Sequence, residues 1–269
     1  MAFRIPDIDD SQAPLLDHLI ELRARLMRCI AALAVTFCVC LYFVDAIFAF
    51  LVQPLAGAFP KGVVARLVYT KLYEAFFVEL KVALFAAFFL SFPVIANQLW
   101  AFVAPGLYAK EKRAFLPFLI ATPVLFLCGA ALAYYVVMPT AFRWLLGFSG
   151  TRGGIKLEAM PSTGDYLGLV MQFILVFGIS FLLPVLLLLL NRAGIVNRKQ
   201  LSGARRYVIV AIVAMAAVMT PPDVASQLML AVPMLFLFEG SLIVMWLGER
   251  KAAKEAAKEA AKVVEGQAG

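Results

Sequence analysis

The sequence predicts an all-α polytopic membrane protein, and three observations carry that expectation. Hydrophobic residues make up 64% of the chain and charged residues only 15%, with a mean hydropathy of +0.92, more than a water-soluble domain of 269 residues needs. The apolar runs reach roughly 20 residues, the length that carries a helix through a hydrocarbon core about 30 Å thick. They also lack the two-residue alternation of a transmembrane barrel, so the backbone must satisfy its hydrogen bonds inside helices.

Six spans are expected, near 27–50, 76–100, 115–138, 166–190, 206–220 and 227–247. Together they form a membrane domain over 1–249, followed by a charged tail over 250–269. Ahead of the first span, Asp17, Glu21 and Arg25 recur at helical spacing on one side of a stretch whose other side carries Leu15, Leu19, Leu22 and Leu26. That pattern pins a charged ridge at a membrane surface. Glu21 and Arg25 are four residues apart, a helical ion pair worth a few tenths of a kcal/mol. Asp7, Asp9, Asp10 and Asp17 precede a run too long for a signal-peptide core, so this segment is expected to remain in the mature protein.

The loops near 51–75 and 139–165 carry apolar stretches, Ala56–Phe59 and Ala141–Leu146, that suit short interfacial helices. The fifth span is unusual. Tyr207–Thr220 is 14 residues, roughly 21 Å at 1.5 Å per residue, which falls short of the hydrocarbon core. Thr220-Pro-Pro-Asp223 then forces a tight turn, because consecutive prolines end one helix and Asp223 suits the cap of the next. The last two spans are therefore expected as a shallow hairpin that thins the bilayer or leans on neighbours. Beyond Trp246 an Ala-rich stretch with opposite charges three and four residues apart predicts a solvated helical extension.

Orientation follows from the bases. The N-terminal segment through Arg28 holds four Lys and Arg, the 101–114 loop three, the 191–206 loop five and the tail after Gly248 five, or 17 of 24. By the positive-inside bias both termini face the cytoplasm. The net charge of +7 then reflects topology and contact with anionic lipid, and nucleic-acid binding is not needed to explain it.

Catalytic constellations are not expected: there is one His, with no H-E-x-x-H, no Gly-rich phosphate loop and no G-x-S-x-G elbow. Cys29, Cys38, Cys40 and Cys128 lie in or beside apolar runs without metal-ligand spacing and read as small hydrophobes, with no metal site and no cofactor. Ionisable residues within the spans are few: Lys81, Glu79 and Glu239, each requiring protein, water or the interface as its surroundings. The first inner loop is denser in signal. It runs from Gln98 through Trp100, Phe102, Pro105, Gly106 and Tyr108 to Arg113, with Glu111 a lone carboxylate among Lys110, Lys112 and Arg113. Composition alone is compatible with a small-solute transporter or channel, which would show membrane-depth charges or broken helices around a central site, and this chain offers little of that beyond Ser180, Pro184 and Glu239.

Three stretches converge on one family. His18-Leu-Ile-Glu-Leu-Arg-Ala-Arg25, Trp100-Ala-Phe-Val-Ala-Pro-Gly-Leu-Tyr108 followed by Glu111, and Thr220-Pro-Pro-Asp223 with Ser226-Gln227 together resemble TatC, the core receptor of the twin-arginine protein translocase. The resemblance runs from about Pro14 to Trp246. It implies a six-helix, cup-shaped receptor in the bacterial cytoplasmic membrane that recognises the paired arginines of signal peptides on folded cargo, with the protonmotive force as energy source. It places signal recognition on Glu21, Arg23, Phe102 and Glu111, where two carboxylates suit two guanidiniums better than two ammoniums. It implies the single-span partners TatA and TatB at the last two helices, with Thr220 and Gln227 as polar contacts, and a homo-oligomer within the receptor complex. Pro54, Lys81, Asp223 and Glu239 also match family positions, with structural support as their expected role. One departure stands out: relatives commonly carry a polar or acidic residue in the fourth span where this chain has Leu182.

Overall fold

The long apolar runs form helices, and two of the interruptions in them fall beside Pro139 and Pro184. The computed structural model describes residues 9–59, 66–107, 112–152, 155–157, 160–192, 194–220 and 224–267. Its helices are α1 (Asp9–Tyr42), α2 (Val44–Ala56), α3 (Glu74–Leu107), α4 (Lys112–Leu132), α5 (Met138–Leu146), α6 (Thr163–Ser180), α7 (Leu183–Arg192), α8 (Arg198–Gly203), α9 (Arg205–Met219) and α10 (Val224–Gln267). A π-helical turn, Ala133–Val137, joins α4 to α5. A two-stranded antiparallel ribbon, β1 (Gly150–Arg152) and β2 (Ile155–Leu157), lies between α5 and α6. The fold is thus the all-α polytopic kind that composition predicts.

Among the described residues five stretches are long and apolar enough to cross a membrane: Leu19–Tyr42, Glu74–Phe102, Phe118–Leu146, Thr163–Arg192 and Ser226–Arg250. The expected fifth span corresponds to α9, which at 15 residues is about 22 Å long and shorter than the hydrocarbon core. Three boundaries differ from the sequence expectation, each for a local reason. The first crossing ends at Tyr42, and Asp45 in the first turn of α2 suits the positive end of a new helix. The third continues past 138 into α5. Pro139 lacks an N–H and crowds the carbonyl one turn back, and the helix widens there, with Met138 N–H bonded to Ala133 O five residues away. The fourth is broken at Phe181–Leu182 by Pro184, whose ring crowds the Ser180 carbonyl at the end of α6.

The chain divides into two compact units. The first comprises Met1–Ala56, Lys61–Pro123 and Ala159–Met171; the second comprises Gly57–Pro60, Val124–Glu158 and Gln172–Gly269. In the first, α1 and α2 pack on α3 through a cluster of Cys40, Ala83 and Ala87, flanked by Leu33, Phe37, Val44 and Ile47. Small residues there let the backbones approach, and the Thr36 hydroxyl reaches the Ala87 carbonyl at 3.2 Å. Tyr166 OH donates to Leu51 O at 2.9 Å, tying α6 to α2. A second tie is built on Glu74. Its Oε1 accepts from the Ser162 hydroxyl at 2.6 Å and the Gly164 N–H at 2.8 Å, and its Oε2 from the N–H and hydroxyl of Thr70 at 2.6 and 2.8 Å. A parallel bridge between Val68 and Ser162 completes this clasp.

In the second unit α10 packs against α7, α8 and α9, burying Leu230, Met234, Phe238, Ser241 and Met245 at helical spacing. Gly129 on α4 meets α6 so closely that a Cβ there would lie 2.4 Å from the Phe177 carbonyl oxygen, and one at Gly178 would lie 2.7 Å from the Phe126 ring. Cys40 is buried, while Cys38 and Cys128 lie on exposed faces and all four cysteines are free.

Candidate functional site

The register between α1 and α3 decides which residues share one end of the first unit. Thr36 meets Ala87, and Cys40, one turn further along α1, shares one buried cluster with Ala87 and Ala83, one turn back along α3, which is the arrangement of an antiparallel pair. Fifteen residues from Thr36 toward the N-terminus is Glu21, and fifteen from Ala87 toward the C-terminus is Phe102, both about 22 Å away along their helices. The burial pattern agrees. On α1 the less exposed stripe runs through Glu21, Arg25, Cys29, Ala32, Thr36 and Cys40, and on α3 through Ala83, Ala87, Ser91, Ile95, Gln98 and Phe102. These rows have helical spacing and meet at Thr36 and Ala87, while a second buried row on α3 runs through Val78, Val82, Phe92 and Ala96. Counted along that register, Glu21 falls level with Phe102, and Arg25 level with Gln98.

Glu21 is engaged within α1. Nε of Arg25 donates to its Oε1 at 2.9 Å, and Nη2 of the same guanidinium reaches the same oxygen. Arg25 is the more enclosed partner, its side chain 19% exposed against 38% for Glu21, so the carboxylate is the half of the pair that an incoming cation meets. Such a half-exposed pair contributes up to about 1 kcal/mol. Arg23, two residues on, lies exposed on a different side of α1, and the structure does not bring it to the Glu21–Phe102 seam. Glu111 lies outside the described residues.

The end of α3 is fixed from α4. Trp100 Nε1 donates to the Thr122 hydroxyl at 2.8 Å, and that buried hydroxyl donates in turn to the Phe118 carbonyl at 2.7 Å. A satisfied hydrogen-bond chain of this kind holds the helix that presents Phe102. Gln98 is the residue that sequence reasoning passed over. Its Oε1 is enclosed yet has no hydrogen-bond partner, and its only signal in the sequence is its position one helical turn before Phe102.

The second unit carries the other residues singled out. Thr220 caps α9 in extended conformation; its buried hydroxyl donates to Ala216 O at 2.8 Å. Gln227 on α10 donates through Nε2 to Val213 O of α9 at 3.3 Å. Gln227 thus ties α10 to α9, while the Thr220 hydroxyl is satisfied within α9. Asp223 lies outside the described residues. Glu239 on α10 pairs with Arg205 at 3.0 Å, which answers the cost of a carboxylate at that depth. Arg198 and Glu249 form a similar pair at 2.7 Å. Pro54 is buried in α2 and Lys81 exposed on α3. Leu182 occupies the break between α6 and α7, its N–H bonded to Ile179 O at 2.9 Å. Among the described residues no group of three His, Cys, Asp or Glu gathers as metal ligands would.

Comparison with known proteins agrees with this arrangement. The family model described as Sec-independent protein translocase protein (TatC) matches residues 17–233. A relative of that description from Magnetococcus marinus is 47% identical over 248 residues, covering 92% of this chain and 89% of its own length. One from Escherichia coli K12 is 39% identical over 232 residues, covering 86% and 87%. A crystal structure of the twin-arginine translocase receptor TatC in DDM superposes with a TM-score of 0.74 at 35% identity, covering 85% of this chain and 99% of its own. With four-fifths of its length matched by one family model and its helices matched by that family's solved structure, this chain belongs to the TatC family of Sec-independent protein translocase proteins.

Proposed function

We propose that this multi-pass membrane protein reads the paired arginines of a signal peptide at the shared end of α1 and α3. As a TatC-family protein it is a core subunit of the Sec-independent, twin-arginine translocase, which exports folded proteins; a solute transporter is not favoured. The observation that carries the recognition site is the antiparallel register that sets Glu21 level with Phe102. A carboxylate beside an aromatic ring meets a guanidinium with charge-assisted hydrogen bonds at its edge and a cation–π contact at its face. Lysine offers neither fork nor plane. Glu111 joins the site on sequence, as the lone acid in the basic stretch that follows Phe102.

The orientation that this reading requires is the one the bases support: both termini and the loops at 101–114 and 191–206 on the cytoplasmic side of the bacterial inner membrane, with 17 of 24 Lys and Arg there. TatA and TatB, the single-span subunits, dock at the α9–α10 hairpin, whose short α9 falls below the hydrocarbon thickness and whose exposed amide at Gln227 suits cover by a partner helix, with Thr220 beneath it at the end of α9. Binding of an Arg-Arg signal peptide to the purified full-length protein tests the site. A hydrogen bond to a charged group is worth about 1.5–3 kcal/mol, so Glu21→Gln raises Kd by roughly 10- to 100-fold. An unchanged Kd overturns the reading.

A further inference from the structure

We propose that Arg25 is an internal stand-in for the signal's arginine, holding Glu21 until a guanidinium displaces it and then moving to Gln98. This rests on the reading of Glu21 as the recognition carboxylate and adds the device that sets its selectivity. Two nitrogens of Arg25 converge on one oxygen, Oε1 of Glu21. A bidentate grip by an incoming guanidinium needs both oxygens, so full engagement requires Arg25 to leave. A guanidinium leaving an ion pair for a half-enclosed seam is costly without a new acceptor.

Gln98 supplies that acceptor. Its Oε1 is shut off from solvent and has no partner, an arrangement that natural structures seldom leave unexplained. Carried along the two helices, the antiparallel register at the Thr36–Ala87 hydrogen bond sets Arg25 against Gln98, each eleven residues from that contact, and both side chains are half-buried. Packed helices have axes about 8–10 Å apart, a gap that an extended arginine bridges. Moving from Glu21 to Gln98 therefore exchanges one hydrogen-bonded state of Arg25 for another. The carboxylate passes to the peptide, and the enclosed carbonyl oxygen gains its donor.

The consequence is a threshold. A lysine ammonium presents a point charge and displaces a two-nitrogen grip poorly, whereas a second guanidinium replaces it with its own. Arg25 thereby disfavours the wrong ligand by competing for the same oxygen, which is selectivity through a repulsive alternative as much as through attraction.

A double-mutant cycle on the full-length protein in lipid nanodiscs tests this, with an Arg-Arg signal peptide and its Lys-Lys version as probes. Gln98→Leu raises the Arg-Arg Kd about tenfold, since Arg25 loses its second acceptor. Gln98→Glu keeps an acceptor and restores binding, which separates the effect from misfolding. Arg25→Ala leaves the Arg-Arg Kd equal or lower and narrows the gap between the two peptides, and adding Gln98→Leu to it changes nothing further. An equal loss from Gln98→Leu in both backgrounds overturns the exchange, as does an unaltered Lys-Lys discrimination in Arg25→Ala. Glu21→Gln separates the two levels: lost binding with an additive cycle sinks the exchange alone, whereas retained binding sinks the recognition site itself.

Discussion

In the proposed exchange Glu21 serves two cations in turn, and its surroundings favour it. Its partner Arg25 is enclosed while its own side chain is more open, so the carboxylate is approached from the solvent side without disturbing the helix. In the proposed site Phe102 meets the same ligand through its face, and Phe102→Ala is expected to weaken Arg-Arg peptide binding by about 0.5–2 kcal/mol, a few- to thirtyfold in Kd. Phe102→Tyr, which keeps the ring, retains most of the affinity. Trp100 works at one remove. Thr122→Val leaves the indole N–H without its acceptor, lowers stability by about 1–2 kcal/mol in thermal unfolding, and loosens the end of α3. Binding to Thr122→Val at wild-type affinity and unchanged stability contradicts the role of that hydrogen-bond chain.

At the scale of elements, close backbone contacts and short helices carry the argument. Gly129→Ala places a methyl group against the Phe177 carbonyl, and the strain of overpacking costs about 1–3 kcal/mol, read as a lower midpoint of thermal denaturation in detergent. Gly240→Ala, where a Cβ meets nothing within 4 Å, leaves it unmoved. The α9–α10 hairpin makes a different demand. Thr220 and Gln227 already hydrogen-bond across or within the hairpin, so a partner's polar group adds about 0.6 kcal/mol at each, at most about 2. That is enough to set register, while apolar packing supplies affinity. Thr220→Val with Gln227→Leu therefore shifts crosslinks from a single-span partner without reducing signal-peptide binding. Unchanged crosslinks with lost binding show the two surfaces assigned the wrong way round. The clasp at Glu74 is a third element-scale feature. Glu74→Gln removes a charge that five donors surround, and exchange of the Gly164 amide proton accelerates, by about tenfold on the scale of local opening.

For the molecule as a whole, the partition of Lys and Arg supports the proposed orientation, which thiol labelling reads. In a cysteine-free background, cysteines at Ser11 and Gln267 stay shielded from an impermeant reagent in intact cells, and labelling of either from outside overturns the map. Fold class is legible in composition because a bilayer admits few alternatives to helices, and so is the short α9, since Pro221 and Pro222 mark its end. The break at Leu182 is hidden inside an unbroken apolar run, where hydropathy outweighs the single Pro184 that causes it. The motif residues are visible by resemblance, yet their meeting is not. The register of α1 on α3 rests on Thr36, Cys40, Ala83 and Ala87, small residues that carry no periodic signal of their own. Gln98 is silent for the same reason, since burial of one carbonyl oxygen is a property of the packed pair and not of the residue.

The central claim is that one end of the α1–α3 pair recognises the signal, and site-specific photo-crosslinking tests it most directly. Probes at Glu21, Phe102, Glu111, Thr220 and Gln227, placed one at a time in the full-length protein in membranes, are challenged with an Arg-Arg signal peptide and with its Lys-Lys version. The account predicts Arg-Arg crosslinks from Glu21, Phe102 and Glu111, much weaker ones with Lys-Lys, and none from the α9–α10 hairpin. Crosslinks concentrated at Thr220 and Gln227, with Glu21 and Phe102 silent, contradict it.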